Sequence, residues 1–254
     1  MRLAITRDIS PGINRCELTH LARRPIDVEL ARAQHREYER CLRALGCAIH
    51  QLPAASDLPD SVFVEDCAVV LDEIAVIARP GAASRRPETA AVEQALASFR
   101  SLCRIEPPAT LDGGDVLRAG RTLLVGVSSR TSGPAIEQLR RLVGPLGYAV
   151  VTVEVRGCLH LKSAITEVAP DTLLVNRAWI PEHSFPRFDC IDIDPAEPFA
   201  ANALRIGDGL VYPSAFPRTR LRLESCGIPV HVVDVSELAK AEGAVTCCSL
   251  IVET

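Results

Sequence analysis

The sequence has no long apolar run, no paired-cysteine motif and no basic cluster, and each absence removes a class of protein. No stretch approaches the ~20 apolar residues that a bilayer-spanning helix needs. The N-terminus, Met1 to Asp8, interrupts a short apolar stretch with charge at once, unlike a secretory signal. Together these features predict a soluble, cytoplasmic chain that meets no membrane. Cysteines stand at positions 16, 41, 47, 67, 103, 158, 190, 226, 247 and 248 without a single C-x-x-C pair, so a zinc ribbon or thioredoxin-type motif has no support. Without a secretory signal a disulfide framework is not expected either, and most of these thiols read as small buried hydrophobes. A net charge of −4 and a pI near 5.9, with no Lys/Arg cluster, argue against a nucleic-acid surface.

What is present is ordinary globular composition: 254 residues, 48% apolar and 24% charged. That length suits one large domain, or one domain of repeats spanning residues 1–254. A recurring unit is visible, in which a polar anchor leads into a β-rich stretch, a tight turn and a second apolar stretch. It occurs at Glu65–Leu71 with Ile74–Ala78, Asp112–Arg118 with Thr122–Gly126, His160–Val168 with Thr172–Val175, and Asn202–Ile206 with Leu210–Tyr212. The fifth occurrence, Cys247–Val252, runs to the C-terminus. The anchors follow one another at intervals of 47, 48, 42 and 45 residues.

Between hairpins come helical patterns and then another strand. Helices are expected after Asp27 (stopped by Gly46), from Ser84 to about Leu102, from Ser132 to about Leu146 and from Pro217 to Gly227. The third unit has Trp179 to Arg187 in this place, with two prolines, so its helix is expected to be short or absent. Strands follow at 48–52, 103–106, 149–155 and 229–235. The unit is ββαβ, and the strand missing from the fifth unit is supplied by Leu3 to Thr6. The reading is α/β: a five-bladed α/β propeller closed by its terminal strands, which would leave no exposed sheet edge. The alternative is an α+β sheet without rotational symmetry.

In a radial repeat, equivalent positions converge on the axis. Here they are Glu65/Asp66, Asp112, His160, Asn202 and Cys247. Singly, His160 reads as a core histidine, Asp112 as a turn residue before Gly113-Gly114, and Cys247 as filler. Their shared phase makes them a nucleophile, a proton donor and carboxylates. Cys247 and Cys248, taken as neighbours on a strand, would point to opposite sides; the anchor phase gives the axis to Cys247 and leaves Cys248 between sheet and helices. Three acids around one cavity would repel anions and raise a nearby thiol's pKa, and a planar guanidinium substrate would reverse both effects.

Five co-linear segments carry a resemblance: Pro59–Asp66, Arg79–Arg86, Thr110–Leu117, Leu159–Ser163 and Thr246–Ser249. They closely resemble the dimethylarginine dimethylaminohydrolase family of the pentein superfamily, over nearly the whole chain. The resemblance implies the propeller fold and hydrolysis of Nω-methylated arginines to L-citrulline and a methylamine without a cofactor. It implies Cys247 as nucleophile, His160 as proton donor and Asp112 as the third catalytic acid. Glu65 and Asp66 would hold the guanidinium, with Phe63 in the same motif. Arg85 and Arg130 would grip the α-carboxylate, while Asp60 and the carbonyls of Leu18 and Ala241 would take the α-ammonium. Leu18 lies in a polar stretch from Ile9 to Arg24 that looks like a lid, and Gly243 would lend mobility to a second flap. Zinc enters only as an inhibitor at Cys247, with no dedicated metal site. The partner expected is a small molecule, and the chain is expected to be a monomer or homodimer. An arginine or agmatine deiminase, an amidinotransferase and a non-catalytic binding propeller are the rival readings.

Overall fold

A computed structural model describes residues 2–181 and 187–253. Its strands are β1 (Arg2–Arg7), β2 (Cys47–Leu52), β3 (Ala68–Val70), β4 (Ile74–Ile77), β5 (Ser101–Arg104), β6 (Val116–Ala119), β7 (Thr122–Val127) and β8 (Ala149–Glu154). They continue with β9 (Ile165–Ala169), β10 (Thr172–Val175), β11 (Asp189–Asp192), β12 (Leu204–Ile206), β13 (Gly209–Pro213), β14 (Val230–Val233) and β15 (Leu250–Glu253). They form five three-stranded sheets: β3-β4-β5, β6-β7-β8, β9-β10-β11, β12-β13-β14 and β15-β1-β2. In each, two strands pair antiparallel and the third joins parallel after a crossover. The fifth sheet is assembled from both ends of the chain, with Leu3 opposite Val252 and Ile5 opposite Leu250. The first hairpin strands lie next to one another: β15 against β3, β6 against β9, and β9 against β12.

The helices cover these sheets with apolar faces. Val28–Ala44 is capped by Asp27, whose carboxylate accepts the amides of Glu29 and Leu30, and it buries Ala31, Tyr38 and Leu42. The chain then leaves through Gly46 at φ 87°, a conformation that costs glycine nothing. Gly133–Val143 buries Ala135, Ile136, Leu139 and Val143, and Pro217–Ser225 buries Thr219 and Leu223.

Three expectations need correction. The helix from Ser84 does not reach Leu102: a 3-10 turn over Ala83–Glu88 leads into Thr89–Leu96, and Leu102 belongs to β5, where it pairs with Ala75. Strand pairing with the preceding hairpin overrides local helical propensity there. In the third unit β11 pairs parallel with β10, a strand the pattern did not pick out; part of the Trp179–Arg187 stretch lies outside the described residues. Cys247 and Cys248, expected on a strand, lie in a turn instead. Each anchor sits in a turn just before its hairpin: Glu65 and Asp66 in a 3-10 turn, Asp112 and His160 capping short helical turns, Asn202 in a loop, and Cys247 in a turn spanning 245–248.

Candidate active site

These pre-hairpin turns bring three buried groups together. His160 Nε2 lies 3.0 Å from Asp112 Oδ2, and its Nδ1 lies 3.7 Å from Asp66 Oδ1. The approach is close enough to require glycine. A Cβ at Gly114 would sit 2.6 Å from His160 Nδ1 and 2.8 Å from Asp66 Oδ1, and one at Gly113 would meet the Glu65 carbonyl at 2.0 Å. The Gly113-Gly114 pair is therefore a packing requirement of the site.

Each acid is held in place. Asp112 Oδ1 accepts the Gly81 amide at 2.8 Å, and the Asp112 amide donates to Thr131 Oγ1. Asp66 accepts the Gly114 amide at 3.0 Å and Arg85 Nη1 at 2.6 Å. Asp115, fully buried, accepts the Leu161 amide and the Ser128 hydroxyl, which fixes the turn that begins at His160. Burial pushes the His160 pKa down, but the charge of Asp66, the hydrogen bond with Asp112 and the charge of Asp115 outweigh it and bring it up to about 9. At neutral pH this imidazole is protonated. Asp66 moves the opposite way, down to about 2: burial opposes ionisation, but His160 and Arg85 more than compensate.

Cys247 is half-buried, and its Sγ accepts the Ala244 amide at 3.3 Å. Burial, then the charges of Glu65 and Asp66, push its thiol up to about 12. Cys248 is fully buried in the cluster that contains Tyr38 and Leu42, on the helix side of the sheet as expected, although the pair lies in a turn rather than on a strand.

A second network, which the sequence did not reveal, supports the Cys247 turn. Glu65 accepts Lys162 Nζ at 2.6 Å and Thr246 Oγ1 at 2.8 Å, while its amide donates to the Cys247 carbonyl. Asn202 bonds Thr246 twice, through Nδ2 to Oγ1 at 2.9 Å and through Oδ1 from the amide at 3.1 Å, and also donates to the Lys162 carbonyl. The Tyr38 hydroxyl donates to the Val245 carbonyl at 2.9 Å and lies 2.7 Å from Ser249 Oγ, so it spans the turn. A cavity of about 590 Å³ is bordered by Glu65, Lys162 and Thr246, but not by Cys247, His160 or Asp112. A second, of about 280 Å³, adjoins the site through Leu159, Asn202 and Ala244.

The remaining expected residues fall into two groups. Arg85 is buried and engaged with Asp66, with Glu88 at 2.9 Å, and with the Asp60 and Phe63 carbonyls. Phe63 is buried, and its ring would clash at 2.2 Å with a Cβ on Gly243. Asp60 accepts the Glu17 amide at 3.1 Å. Arg130 is half-buried and donates to Thr19 Oγ1 at 3.0 Å. Leu18 is half-buried and Ala241 buried. Asp66, Asp112 and His160 have potential ligand atoms within 4.8 Å of one another, a set that could hold a cation; Cys247 is not part of it.

Fold and site define a class: an α/β repeat enzyme with a cysteine, an imidazolium and buried carboxylates. A family model described as "N,N dimethylarginine dimethylhydrolase, eukaryotic" matches residues 18–185, and the chain belongs to the dimethylarginine dimethylaminohydrolase family. It is 41% identical to N(G),N(G)-dimethylarginine dimethylaminohydrolase of Streptomyces coelicolor over 97% of this chain and 95% of that one. To the Pseudomonas aeruginosa enzyme of that name it is 34% identical, over 88% and 89%. A solved structure of a Pseudomonas aeruginosa mutant complexed with citrulline superposes with a TM-score of 0.93 at 32% identity, covering 98% of both chains. A dimethylarginine dimethylaminohydrolase adduct with S-methyl-L-thiocitrulline gives the same score, covering 99% of this chain and 100% of that one. The N-terminal domain of a cyanobacterial arginine dihydrolase, 18% identical with a TM-score of 0.85, shares the fold.

Proposed function

We propose that this chain hydrolyses Nω,Nω-dimethyl- and Nω-methyl-L-arginine to L-citrulline and dimethylamine or methylamine, through a covalent bond to Cys247. The observation that carries the reading is the charge state of the site. Its imidazole is protonated at neutral pH, while burial and the charges of Glu65 and Asp66 hold its thiol neutral. A guanidinium beside Glu65 and Asp66 offsets their charge and lets the thiol ionise.

Cys247 Sγ then bonds to the guanidinium carbon. His160 passes its proton to the substituted nitrogen, the carbon–nitrogen bond breaks and the neutral amine leaves. An S-alkylthiouronium remains. His160, now neutral, takes a proton from water as the water oxygen bonds to the carbon; the carbon–sulfur bond then breaks, the new hydroxyl gives up its proton to the departing sulfur, and the ureido group of citrulline and the resting thiol form. Asp112 orients the imidazole through its 3.0 Å contact and stabilises its charge.

At the amino-acid end, Arg130 reaches the lid and supplies the principal carboxylate contact, whereas Arg85 braces Asp66 from below and adds its charge at longer range. Asp60 with the Leu18 and Ala241 carbonyls takes the ammonium. The five sheets are read as blades of a closed α/β propeller, joined by β1 and β15, in one domain acting in the cytoplasm on a small-molecule substrate. The test is citrulline release from dimethylarginine, methylarginine, arginine and agmatine with a chelator present. Methylated substrates should be preferred, and preference for plain arginine would overturn the reading.

A further inference from the structure

Glu242 is one of two non-glycine residues with positive φ among the described residues, at 60°, and its side chain has an unusual set of partners. Its carboxylate accepts the backbone amides of three consecutive lid residues: Thr19 at 3.1 Å, His20 at 2.5 Å and Leu21 at 2.6 Å. Successive amides turned toward one point form a nest for an anion, and here the anion is a side chain of the same protein. The flap that carries Glu242 is itself fixed, since the amides of Ala241 and Gly243 both donate to the Leu238 carbonyl at 3.0 Å. Gly243 packs against the Phe63 ring so closely that no side chain fits there.

The residues just before each end of this tie matter. Leu18 precedes Thr19 and Ala241 precedes Glu242, and these two supply the carbonyl acceptors assigned above to the substrate's ammonium. The third member, Asp60, is tied to the same lid by the Glu17 amide, at 3.2 and 3.1 Å. Ser84 Oγ to Glu17 at 2.5 Å and Arg130 to Thr19 complete the lid's attachments to the site. We propose that Glu242 is a positioning residue: by clamping the lid amides 19–21 onto the flap, it sets the Leu18 and Ala241 carbonyls at the spacing that an α-ammonium requires.

The inference rests on the proposed ammonium site, and the experiment separates the two. Glu242→Gly removes the carboxylate and suits the positive φ, so the flap backbone has no reason to move. Michaelis constants would be measured for dimethylarginine and for its α-deamino analogue, together with amide hydrogen exchange at residues 19–21. The expected result is a KM for dimethylarginine raised about tenfold or more with kcat nearly unchanged, no rise for the deamino analogue, and faster exchange at all three amides. Glu242→Gln, which keeps one acceptor, should recover part of the loss. An unchanged KM, or an equal rise for the deamino analogue, would overturn the proposal while leaving the hydrolase reading intact. If the wild-type protein turned over no methylated arginine, the functional reading would fail, and unaltered exchange at 19–21 would sink the clamp independently.

Discussion

His160 and Cys247 occupy equivalent places in two repeats, each in the turn before a hairpin, and both lie in the field of Asp66. The field acts on them with opposite results. Burial pushes the imidazole down, but the negative charges around it favour its charged form and lift its pKa to about 9; for the thiol burial acts first and the negative charges add to it, lifting it to about 12. The histidine is thus poised to donate before any ligand arrives, and the cysteine is disarmed until a cation does. Asp66, common to both, together with burial of the thiol gives the site an acid ready at rest and a nucleophile conditional on substrate, which protects the thiol from adventitious electrophiles.

The comparison can be broken first at the nucleophile. Cys247→Ser should lower citrulline formation by about a thousandfold or more, because an alcohol in this field is a far poorer nucleophile. Cys248→Ser should leave turnover within about tenfold and cost stability instead, since it buries a hydroxyl in an apolar cluster. If Cys248 proved the essential thiol, the axis assignment would be wrong.

Next is the acid. His160→Gln should reduce kcat by about 10²- to 10⁴-fold, and mass spectrometry should find the covalent intermediate accumulating where attack still occurs. The same residue makes a stability prediction. Its folded pKa, about 9, lies above its ordinary 6.5. Its contribution is therefore fully present below pH 6.5 and is lost as pH rises through about 9, with a magnitude on the order of 3 kcal/mol. The depression of Asp66 to about 2 reflects the same interaction from the other side and is not added to it. Denaturant melts at pH 6 and 9.5 should differ for wild type, and the difference should shrink in His160→Gln.

The thiol side of the field can be sharpened by alkylation. Iodoacetamide should label Cys247 of the free protein slowly at pH 8, with a rate that climbs well into the alkaline range. Asp66→Asn removes a negative charge, so it should lower the thiol pKa and speed labelling at pH 8 about tenfold. A labelling rate that fell or stayed constant would mean that the carboxylate field does not govern the thiol.

Much of this was legible beforehand, for a physical reason. The anchors recur at near-constant intervals because each sheet repeats the same hairpin, so Asp112, His160 and Cys247 could be picked out by phase alone. Cys247 and Cys248 were misread as strand because the apolar run Cys247–Val252 begins before the ladder does, and ladder pairing is a tertiary fact. Lys162, Thr246 and Tyr38 escaped notice, and Asn202 was placed on the axis without its bonds to Thr246 and Lys162, because these roles depend on partners in other repeats. The Thr246 hydroxyl meets Glu65 from 181 positions away, and Tyr38 is an ordinary core-facing residue of its helix until its hydroxyl is seen spanning the Cys247 turn. Arg85 was expected at the α-carboxylate; its engagement with Asp66 and Glu88 was not legible, since that depends on all three being buried together.

Tyr38 gives the smallest effect and the most specific one. Tyr38→Phe keeps the ring in its fully buried place and removes only the hydroxyl that bonds Val245 and faces Ser249. The lost bonds should cost about 1–2 kcal/mol of stability, because the Val245 carbonyl is left without this partner. The catalytic consequence should fall on one half of the comparison only. His160 is supported by Asp112, Asp66 and Asp115, whereas the Tyr38 hydroxyl bonds to Val245 and Ser249. The Cys247 turn loses a brace, so formation of the covalent intermediate should slow by about two- to fivefold, while its hydrolysis, which depends on His160 and water, should keep its rate. Single-turnover measurements would separate the two steps. Equal slowing of both would mean that the two halves of the site are one mechanical unit, not two supported from different repeats.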